Sequence, residues 1–291
     1  MLRVEQLSIH FEDRDEDQEV VKNVSFSIED GEILGIVGES GSGKTMTALT
    51  IAGLLKKNAV LDHGSIRLDE TELLGLSAKE MRKIQGNEIS MIFQEPMSAL
   101  NPTMQIGKQV EEALLLHPMP EMAAAPGKAG RKAAKEKRRN LALEALRDVE
   151  LDDPEQLYKK YPHELSGGMR QRVMIAAAIV CRPKVLIADE PTTALDAVTQ
   201  ESILNLLKKL NQKYGMSILF ISHNLRVVNT LCSRVLVMKD GEIIEEGMTE
   251  DIFANPQTEY TKELIAAIPV RTKENRWYDL MRKAQEEMQE Q

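Results

Sequence analysis

One eight-residue segment, GESGSGKT at Gly38–Thr45, constrains the fold of this chain more than any other feature. It follows an apolar run, Ile33–Val37, that is typical of a buried strand, and it precedes a helical pattern that extends to about Leu55. In the pattern G-x-x-x-x-G-K-[ST], backbone N–H groups surround an anion, and glycines allow its close approach. The sequence therefore predicts a phosphate-binding loop, and the alternative is a Gly/Ser-rich surface turn.

The residues of this loop have distinct predicted roles in holding a nucleotide. Lys44 would reach the β- and γ-phosphates, and the hydroxyl of Thr45 would ligate Mg²⁺. The N-terminus of the following helix adds a favourable field for an anion. The predicted nucleotide-binding residues of this segment are Gly38, Glu39, Ser40, Gly41, Ser42, Gly43, Lys44, Thr45 and Met46.

A second apolar run, VLIADE at Val185–Glu190, ends in two acidic residues. Its apolar part predicts a buried strand that presents Asp189 and Glu190 at its end. Asp189 would hold Mg²⁺ through water, and Glu190 would polarise the attacking water. An acidic pair at a strand end can also be a loop start or a helix cap, but its position downstream of a phosphate-binding loop favours the catalytic role.

A third segment, LSGGM at 165–169, predicts a helix that begins at Gly167 with Ser166 as its N-cap. The two glycines would expose backbone N–H groups at the positive end of that helix. On its own the pattern is equally typical of an ordinary capped helix. Together with the first loop, it gives one chain two candidate anion-binding helix termini.

The order of the remaining patterns predicts how the chain is organised. Strand and helix patterns alternate, which indicates an α/β fold with a largely parallel sheet covered on both faces. The sequence pattern changes after Met97. In the stretch that follows, Ile106, Val110 and Leu114 recur at helical spacing, and no strand pattern is present. We therefore predict a core at 1–96 and 165–250, an inserted all-helical subdomain at 97–164 and a C-terminal extension at 251–291.

Composition excludes several other classes. The chain has 37 basic and 46 acidic residues, which argues against nucleic acid as the main partner. Its two cysteines, Cys181 and Cys232, are too few for a disulfide scaffold or a four-thiolate metal site. The longest apolar stretch, Val173–Cys181, is too short to span a bilayer, and charged residues near the start disfavour a signal peptide. We expect a cytosolic chain whose membrane role, if any, comes through a partner.

Six motifs in order along the chain resemble the full motif set of ABC transporter ATPase domains. They are GESGSGKT, Gln94 after MIF, LSGGM, VLIADE, ALD at 194–196 and His223 in ISHN. The resemblance covers about residues 1–250. It implies a P-loop (RecA-like) ATPase core with an N-terminal antiparallel β-subdomain and an inserted α-helical subdomain, which binds and hydrolyses ATP with Mg²⁺.

The resemblance also implies roles for residues that mean little singly. Gln94 would sense Mg²⁺ and the attacking water, and His223 would contact the γ-phosphate. A single histidine after a strand is otherwise more often structural. Phe11 would stack on adenine, although it also fits a core residue at a strand end. Gln94 and His223 join Glu190 and Lys44 in the predicted catalytic centre, and Phe11 joins the predicted nucleotide-binding residues.

Other implied roles concern a dimer that sandwiches ATP between two chains. Ser166, Gly167 and Gly168 would bind the γ-phosphate held by the opposite subunit, and Asp196 would lie at the dimer seam. One triphosphate would then lie between two helix termini, so that ATP binding joins the subunits.

Finer resemblance points to the oligopeptide, dipeptide and nickel importer ATPases. It rests on FQEPMSALNP at 93–102 and on NPQTEYTKELIAAIPV near the end. It implies a second ATPase subunit, which is expected to be a different chain, together with two transmembrane permease subunits and an extracytoplasmic solute-binding protein. It also implies a place at the cytoplasmic face of the membrane. No cysteine follows Cys232, so the C-terminal iron–sulfur cluster of many members is expected to be absent.

Several alternatives stay open at this point. A soluble ABC ATPase clamp of repair or translation usually has two tandem cassettes or a long coiled-coil insertion, and the sequence has neither. A non-enzymatic binding module would be expected to lose Glu190 or Lys44. The cargo is undetermined among peptides, metal chelates and sugars. The basic run Lys128–Arg139 fits a solvated helix face or a lipid contact, and the tail from Asn275 has the pattern of an amphipathic helix.

Overall fold

The computed structural model of the chain describes residues 1–12, 18–55, 57–95, 99–122, 127–193 and 195–268. The chain divides into two compact units. The first unit comprises Met1–Leu74 and Leu219–Gln291, and the second unit comprises Gly75–Ile218. These boundaries differ from the division predicted from the sequence, which stays a prediction. The predicted amphipathic tail from Asn275 lies outside the described residues.

The strands in the described ranges are short to medium in length and are numbered here in chain order. They are β1 Leu2–Phe11, β2 Gln18–Ile28, β3 Ile33–Val37, β4 Ala59–Leu68, β5 Thr71–Glu72, β6 Ile89–Ile92, β7 Val185–Asp189, β8 Ser217–Ser222, β9 Arg234–Lys239 and β10 Glu242–Met248. The bounds of β3 match the apolar run identified in the sequence, because a strand buried on both faces reads as a continuous apolar segment.

The α-helices of the described ranges are likewise numbered in chain order. They are α1 Lys44–Ile51, α2 Ala78–Ile84, α3 Ile106–Leu116, α4 Lys128–Asp148, α5 Pro154–Leu157, α6 Gly167–Ile179, α7 Ala197–Tyr214, α8 Leu225–Leu231, α9 Thr249–Ala254 and α10 Glu259–Ala266. Two short 3₁₀ helices lie at Pro120–Met122 and Pro162–Glu164.

One helix boundary differs from the prediction for a reason visible in the backbone. We expected the helix after the glycine-rich loop to reach about Leu55, but α1 ends at Ile51. Gly53 adopts a φ of 67°, and the N–H groups of Gly53 and Leu54 donate to the carbonyls of Thr50 and Leu49 at 3.0 and 2.7 Å. This hydrogen-bond pair is a Schellman motif, which terminates a helix at a left-handed glycine.

The first unit contains an antiparallel sheet in the order β2-β1-β4-β5, as predicted for the N-terminal residues. Burial alternates at the start of β1, where Leu2 and Val4 face the core while Arg3 and Glu5 face solvent. The same unit holds β3, which pairs in parallel with β9, and β9 forms an antiparallel hairpin with β10. This arrangement brings the carboxyl end of β3, where the phosphate-binding loop begins, beside β9.

The second unit combines two parallel strands, β6 and β7, with helices α2 to α7. Ile106, Val110 and Leu114 of α3 are fully buried, as their helical spacing predicted. Helices α3, α4 and α6 pack against one another, and the described residues between 99 and 164 include no strand. Residues 97, 98 and 123–126 of the predicted helical subdomain lie outside the described residues.

A buried carboxylate joins the helices of the second unit. Glu111 of α3 is 2% exposed, and it accepts hydrogen bonds from Lys108 Nζ at 3.3 Å and Arg138 Nε at 3.4 Å. The Tyr158 hydroxyl donates to the same carboxylate. A buried charge needs such partners to offset its loss of hydration, so these contacts hold α3 against α4 and the segment after α5.

Candidate nucleotide-binding and catalytic site

The phosphate-binding loop folds around the side chain of its own lysine. Lys44 is 4% exposed, and its Nζ atom donates to the carbonyl oxygens of Gly38 at 2.8 Å and Glu39 at 2.6 Å. The same atom lies 3.1 Å from Ser42 Oγ. The ammonium group is therefore held inside the loop, at the start of α1, where the resemblance implies that it meets phosphate.

Glycines in this loop are required by close backbone neighbours within the first unit. A Cβ atom at Gly38 would lie 2.0 Å from the carbonyl oxygen of Met238 in β9. Gly43 has a φ of 99°, and a Cβ atom there would lie 2.6 Å from the carbonyl oxygen of Val20. Both contacts are too short for any side chain. The glycine pattern read from the sequence thus has a packing cause as well as the proposed role in anion approach.

The other residues of this segment differ in their exposure to solvent. Glu39, Ser40, Gly41 and Thr45 are exposed, whereas Met46 is buried in α1. The first turn of α1 holds no acidic residue, so no carboxylate of that turn offsets the positive end of the helix dipole. This end of the helix can accept an anion.

In the second unit, the structure brings Gln94 and Glu190 together. Gln94 Nε2 donates to Glu190 Oε2 at 3.2 Å, and the Thr193 hydroxyl donates to the same oxygen at 2.8 Å. Asp189, at the end of β7, is 6% exposed, while Glu190 is partly exposed and has a φ of 47°. Strained backbone of this kind is frequent at functional positions. Thr193 was not among the predicted site residues. The one feature of the sequence that could have indicated it is its position three residues after Glu190.

The LSGGM segment forms the N-terminus of α6 as predicted. Ser166 is the N-cap, and its Oγ atom accepts a hydrogen bond from Met169 N at 3.3 Å. Ser166 and Gly167 are exposed. A Cβ atom at Gly167 would meet nothing within 4 Å, whereas one at Gly168 would lie 2.9 Å from Thr199 Cγ2. The positive end of α6 is therefore open on the surface of the second unit.

Asp196, predicted at a dimer seam, caps the following helix. Its Oδ1 atom accepts from the N–H groups of Val198 at 3.1 Å and Thr199 at 3.0 Å, and the Thr199 hydroxyl donates to Oδ2 at 2.7 Å. These bonds, led by the Thr199 N–H, lower the pKa of Asp196, so the side chain is an exposed anion at neutral pH. Ala194 of the ALD motif lies outside the described residues.

The two remaining predicted residues belong to the first unit. His223 is exposed and directly follows β8. Phe11 is the last residue of β1 and is partly exposed, with backbone pairing to Gln18 and Ala59. Partial exposure is compatible with stacking on a base and with a core position at a strand end, so the stacking role stays a prediction.

The donor types predicted for a metal are suited to Mg²⁺. Thr45, Gln94 and Asp189 offer a hydroxyl, an amide carbonyl and a carboxylate, which are the oxygen ligands that this hard cation prefers.

The two cysteines are both buried, and burial raises the pKa of Cys181 to about 11. Within the described ranges, no helix is both long enough and apolar enough to cross a membrane.

Comparison with known proteins identifies the family. The family model described as ABC transporter matches residues 21–193. The chain is 44% identical over 269 residues to the dipeptide transport ATP-binding protein DppD of Haemophilus influenzae, covering 92% of this chain and 78% of that protein. It is also 44% identical over 272 residues to the oligopeptide transport ATP-binding protein AppD of Bacillus subtilis, covering 93% and 79%. Relatives of this kind favour an importer ATPase over the soluble clamp considered above.

A solved structure agrees with the fold and with the chemistry. The dimeric post-hydrolysis state of the ATP-binding cassette MJ0796, bound to ADP and Pi, is 32% identical with a TM-score of 0.72. The match covers 86% of this chain and 99% of that one. The predicted α/β fold with a P-loop ATPase core is therefore confirmed. The chain belongs to the ABC transporter family, in which it is an ATP-binding subunit that hydrolyses ATP.

Proposed function

We propose that this chain powers the import of peptides as one of two ATPase subunits in a membrane complex. The second ATPase subunit is expected to be a different chain, and two transmembrane permease subunits and an extracytoplasmic solute-binding protein complete the assembly. The names of the dipeptide and oligopeptide relatives support peptides over metal chelates and sugars. The permease subunits would hold this chain at the cytoplasmic face of the membrane.

The observation that carries the hydrolytic role is the orientation of Glu190. Two donors, Gln94 Nε2 and the Thr193 hydroxyl, meet at one oxygen of this carboxylate. A carboxylate fixed in this way can accept a proton from a water molecule as that water attacks the γ-phosphate. Gln94 contacts Glu190 directly, so any ligand that moves the Gln94 side chain also changes the position of the base.

The residues of the first unit would bind the nucleotide. Lys44 and the N–H groups of the loop contact the β- and γ-phosphates, His223 contacts the γ-phosphate, and Phe11 stacks on adenine. Bound Mg²⁺ would neutralise charge on the phosphate oxygens. Thr45, Gln94 and Asp189 are the residues of this chain that would hold it.

The open end of α6 would act on a nucleotide held by the other subunit. Ser166, Gly167 and Gly168 place a helix N-terminus on the surface, and a negatively charged phosphate is the ligand that such an end favours. Asp196 would contact the other subunit at the seam. The dimeric state of the solved cassette supports this arrangement.

The proposal is tested by uptake into vesicles. The chain would be reconstituted with the permease and ATPase subunits encoded beside it and with their solute-binding protein, and uptake of a labelled dipeptide and a labelled pentapeptide would be measured with and without ATP. Lys44→Ala should abolish uptake, and Lys79→Ala, at an exposed lysine of α2, should leave it unchanged. Transport of a nickel chelate or a sugar without either peptide would contradict the proposed cargo.

A further inference from the structure

The phosphate-binding loop has a contact from the C-terminal part of the chain that none of its motifs indicates. The hydroxyl of Tyr260, in α10, accepts a hydrogen bond from the backbone N–H of Glu39 at 2.9 Å. The two residues are 221 positions apart in the sequence and belong to the same compact unit. We propose that Tyr260 is a positioning residue for ATP binding, which fixes the peptide unit that holds the ammonium group of Lys44. This inference rests on the phosphate-binding role proposed for Lys44.

The argument depends on one planar peptide group. The Glu39 N–H and the Gly38 carbonyl belong to the same peptide unit, and in a trans peptide they point in opposite directions. The N–H donates to Tyr260, and the carbonyl accepts from Lys44 Nζ at 2.8 Å. Rotation of this plane would break both bonds. The phenol therefore restricts the orientation of the carbonyl that places the ammonium group inside the loop.

The phenol itself is held firmly. Tyr260 is 6% exposed, and Lys239 Nζ lies 4.7 Å from the centroid of its ring. A cation at this distance over an aromatic face is attracted to it. Burial raises the pKa of Tyr260 above its usual range, so the hydroxyl is neutral at physiological pH and can accept the Glu39 N–H without bringing a second charge into the loop.

The helix that carries Tyr260 is anchored to the sheet of the same unit. Glu245 of β10 is 8% exposed, and its two carboxylate oxygens accept from Gln257 N at 2.8 Å and Thr258 N at 3.1 Å. The hydroxyl of Thr258 also donates to Glu245 at 3.0 Å, and Thr258 is the N-cap of α10. The position of α10, and with it the Tyr260 hydroxyl, is thus set by a buried carboxylate on β10.

A second contact connects the same part of the chain to the loop. Gly241, in the turn between β9 and β10, donates its N–H to the carbonyl of Ser42 at 3.2 Å. The loop is therefore hydrogen-bonded near its beginning, at Glu39, and near its end, at Ser42, by residues that follow β9. The C-terminal segment through α10 accordingly belongs to the nucleotide-binding part of the molecule.

The test removes only the hydroxyl. Tyr260→Phe keeps the ring and its packing but leaves the Glu39 N–H without its acceptor. For the full-length chain, we expect the Kd for ATP to rise about threefold to tenfold, as for one lost hydrogen bond to a shielded group. In the assembled importer at saturating ATP, hydrolysis should stay within about twofold of the wild type, because the Glu190 site is unchanged.

The matched control is Tyr214→Phe. The hydroxyl of Tyr214, a partly buried residue of the second unit, donates to Asp148, so this change also removes one phenolic hydrogen bond. It should alter thermal stability to a similar degree without changing the ATP affinity. A second variant, Glu245→Gln, replaces one carboxylate oxygen by an NH2 group that faces one of the two backbone N–H donors, and it should give a smaller shift of ATP affinity in the same direction.

Two outcomes would overturn the inference. One is a Kd for Tyr260→Phe within measurement error of the wild type, and the other is an equal change in Tyr214→Phe, which would show a general effect of stability. Lys44→Ala, measured in parallel, separates this inference from the proposed function. If Lys44→Ala abolishes ATP binding while Tyr260→Phe does not alter it, only the role of Tyr260 fails; if Lys44→Ala binds ATP normally, the role of Lys44 itself fails.

Discussion

Among the helix starts of the described residues, those of α1 and α6 both contain glycines but are built in opposite ways. In the first unit, the loop before α1 is enclosed by its own unit, and Lys44, Gly38 and Gly43 all have close neighbours. In the second unit, the start of α6 is exposed, and a Cβ atom at Gly167 would meet nothing within 4 Å. Gly167 is also not among the glycines with a positive φ.

This difference indicates what each glycine is for. The fold of the first unit excludes side chains at Gly38 and Gly43, so their presence is explained without any ligand. The described surroundings of Gly167 do not exclude a side chain, so a requirement for glycine there must come from a ligand or from another chain. The two helix starts therefore differ in whether the packing of their own unit accounts for their glycines.

The largest expected effect is on ATP hydrolysis. The variant that shows it, Glu190→Gln, is also the one in which the two helix starts are compared below. Glu190→Gln should slow ATP hydrolysis by at least about 100-fold, as expected for loss of a general base. ATP binding should remain, because the loop before α1 is unaltered. Phosphate release by the assembled complex under saturating ATP measures the first effect, and nucleotide titration of the chain measures the second. Unchanged turnover would remove Glu190 from the mechanism.

The next prediction tests the enclosed loop. Gly43→Ala adds a Cβ atom 2.6 Å from the Val20 carbonyl at a positive φ, and the resulting distortion should weaken ATP affinity by about tenfold or more. Isothermal titration of the full-length chain would measure this loss. Gly41→Ala is the matched control for strain alone, since its φ is 88° but its Cβ atom would meet nothing within 4 Å. Equal losses in both variants would assign the effect to backbone conformation and not to crowding.

The third prediction tests the open helix start. Gly167→Ala should leave the melting temperature and the ATP affinity of the single chain unchanged, because the added methyl group meets nothing there. Hydrolysis by the assembled pair should fall about tenfold, since the methyl group would crowd a phosphate held by the other subunit. Sedimentation of the Glu190→Gln chain with its ATPase partner, with and without ATP, tests whether this loss comes from weaker association of the two subunits around ATP.

In that experiment, ATP should promote association of the Glu190→Gln pair, and Gly167→Ala added to it should reduce this effect. If ATP has no influence on sedimentation of either pair, the second unit does not complete a shared site. If Gly167→Ala weakens ATP binding to the single chain, the two helix starts are not independent in the way that the comparison requires.

The smallest expected effect concerns Gln94. Gln94→Ala removes the Gln94 donor to Glu190 Oε2 but leaves the Thr193 donor in place, so hydrolysis should fall about threefold to tenfold, as for one hydrogen bond to a charged group. ATP affinity should change less than hydrolysis, and peptide uptake should fall at least as much as hydrolysis does. A parallel loss of all three would make Gln94 a binding residue only. Thr193→Val provides the matched loss of the other donor.

Local features of the fold could be predicted from the sequence. The buried strands β3 and β7 appear as uninterrupted apolar runs because both of their faces are covered. Ser166 and Asp153 were predictable as helix caps, since a short polar side chain before a helix accepts its first N–H groups. The turn at Asp240 and Gly241 was also predictable, because an Asp-Gly pair favours a tight turn with positive φ, and both residues have positive φ values.

Contacts between distant parts of the chain could not be predicted in the same way. The meeting of Gln94 with Glu190 was expected from resemblance alone, because nothing in the spacing of 96 positions brings them together. The contact between Tyr260 and Glu39 was missed, as was the buried cluster around Glu111, since no periodic pattern marks a partner from another element. Such contacts depend on tertiary packing, which fixes side-chain partners only after the elements have assembled.

The backbone of Glu190 has a consequence for the evolution of this site. A residue other than glycine at a φ of 47° costs the fold about 1 kcal/mol, and asparagine or glycine would lower that cost. Selection for stability alone would therefore not favour glutamate here, and the catalytic role proposed for Glu190 would supply an opposing pressure. In a duplicated gene that is no longer selected for ATP hydrolysis, position 190 should be among the first to be substituted. The residue at this position should therefore distinguish subunits that hydrolyse ATP from subunits that only bind nucleotide.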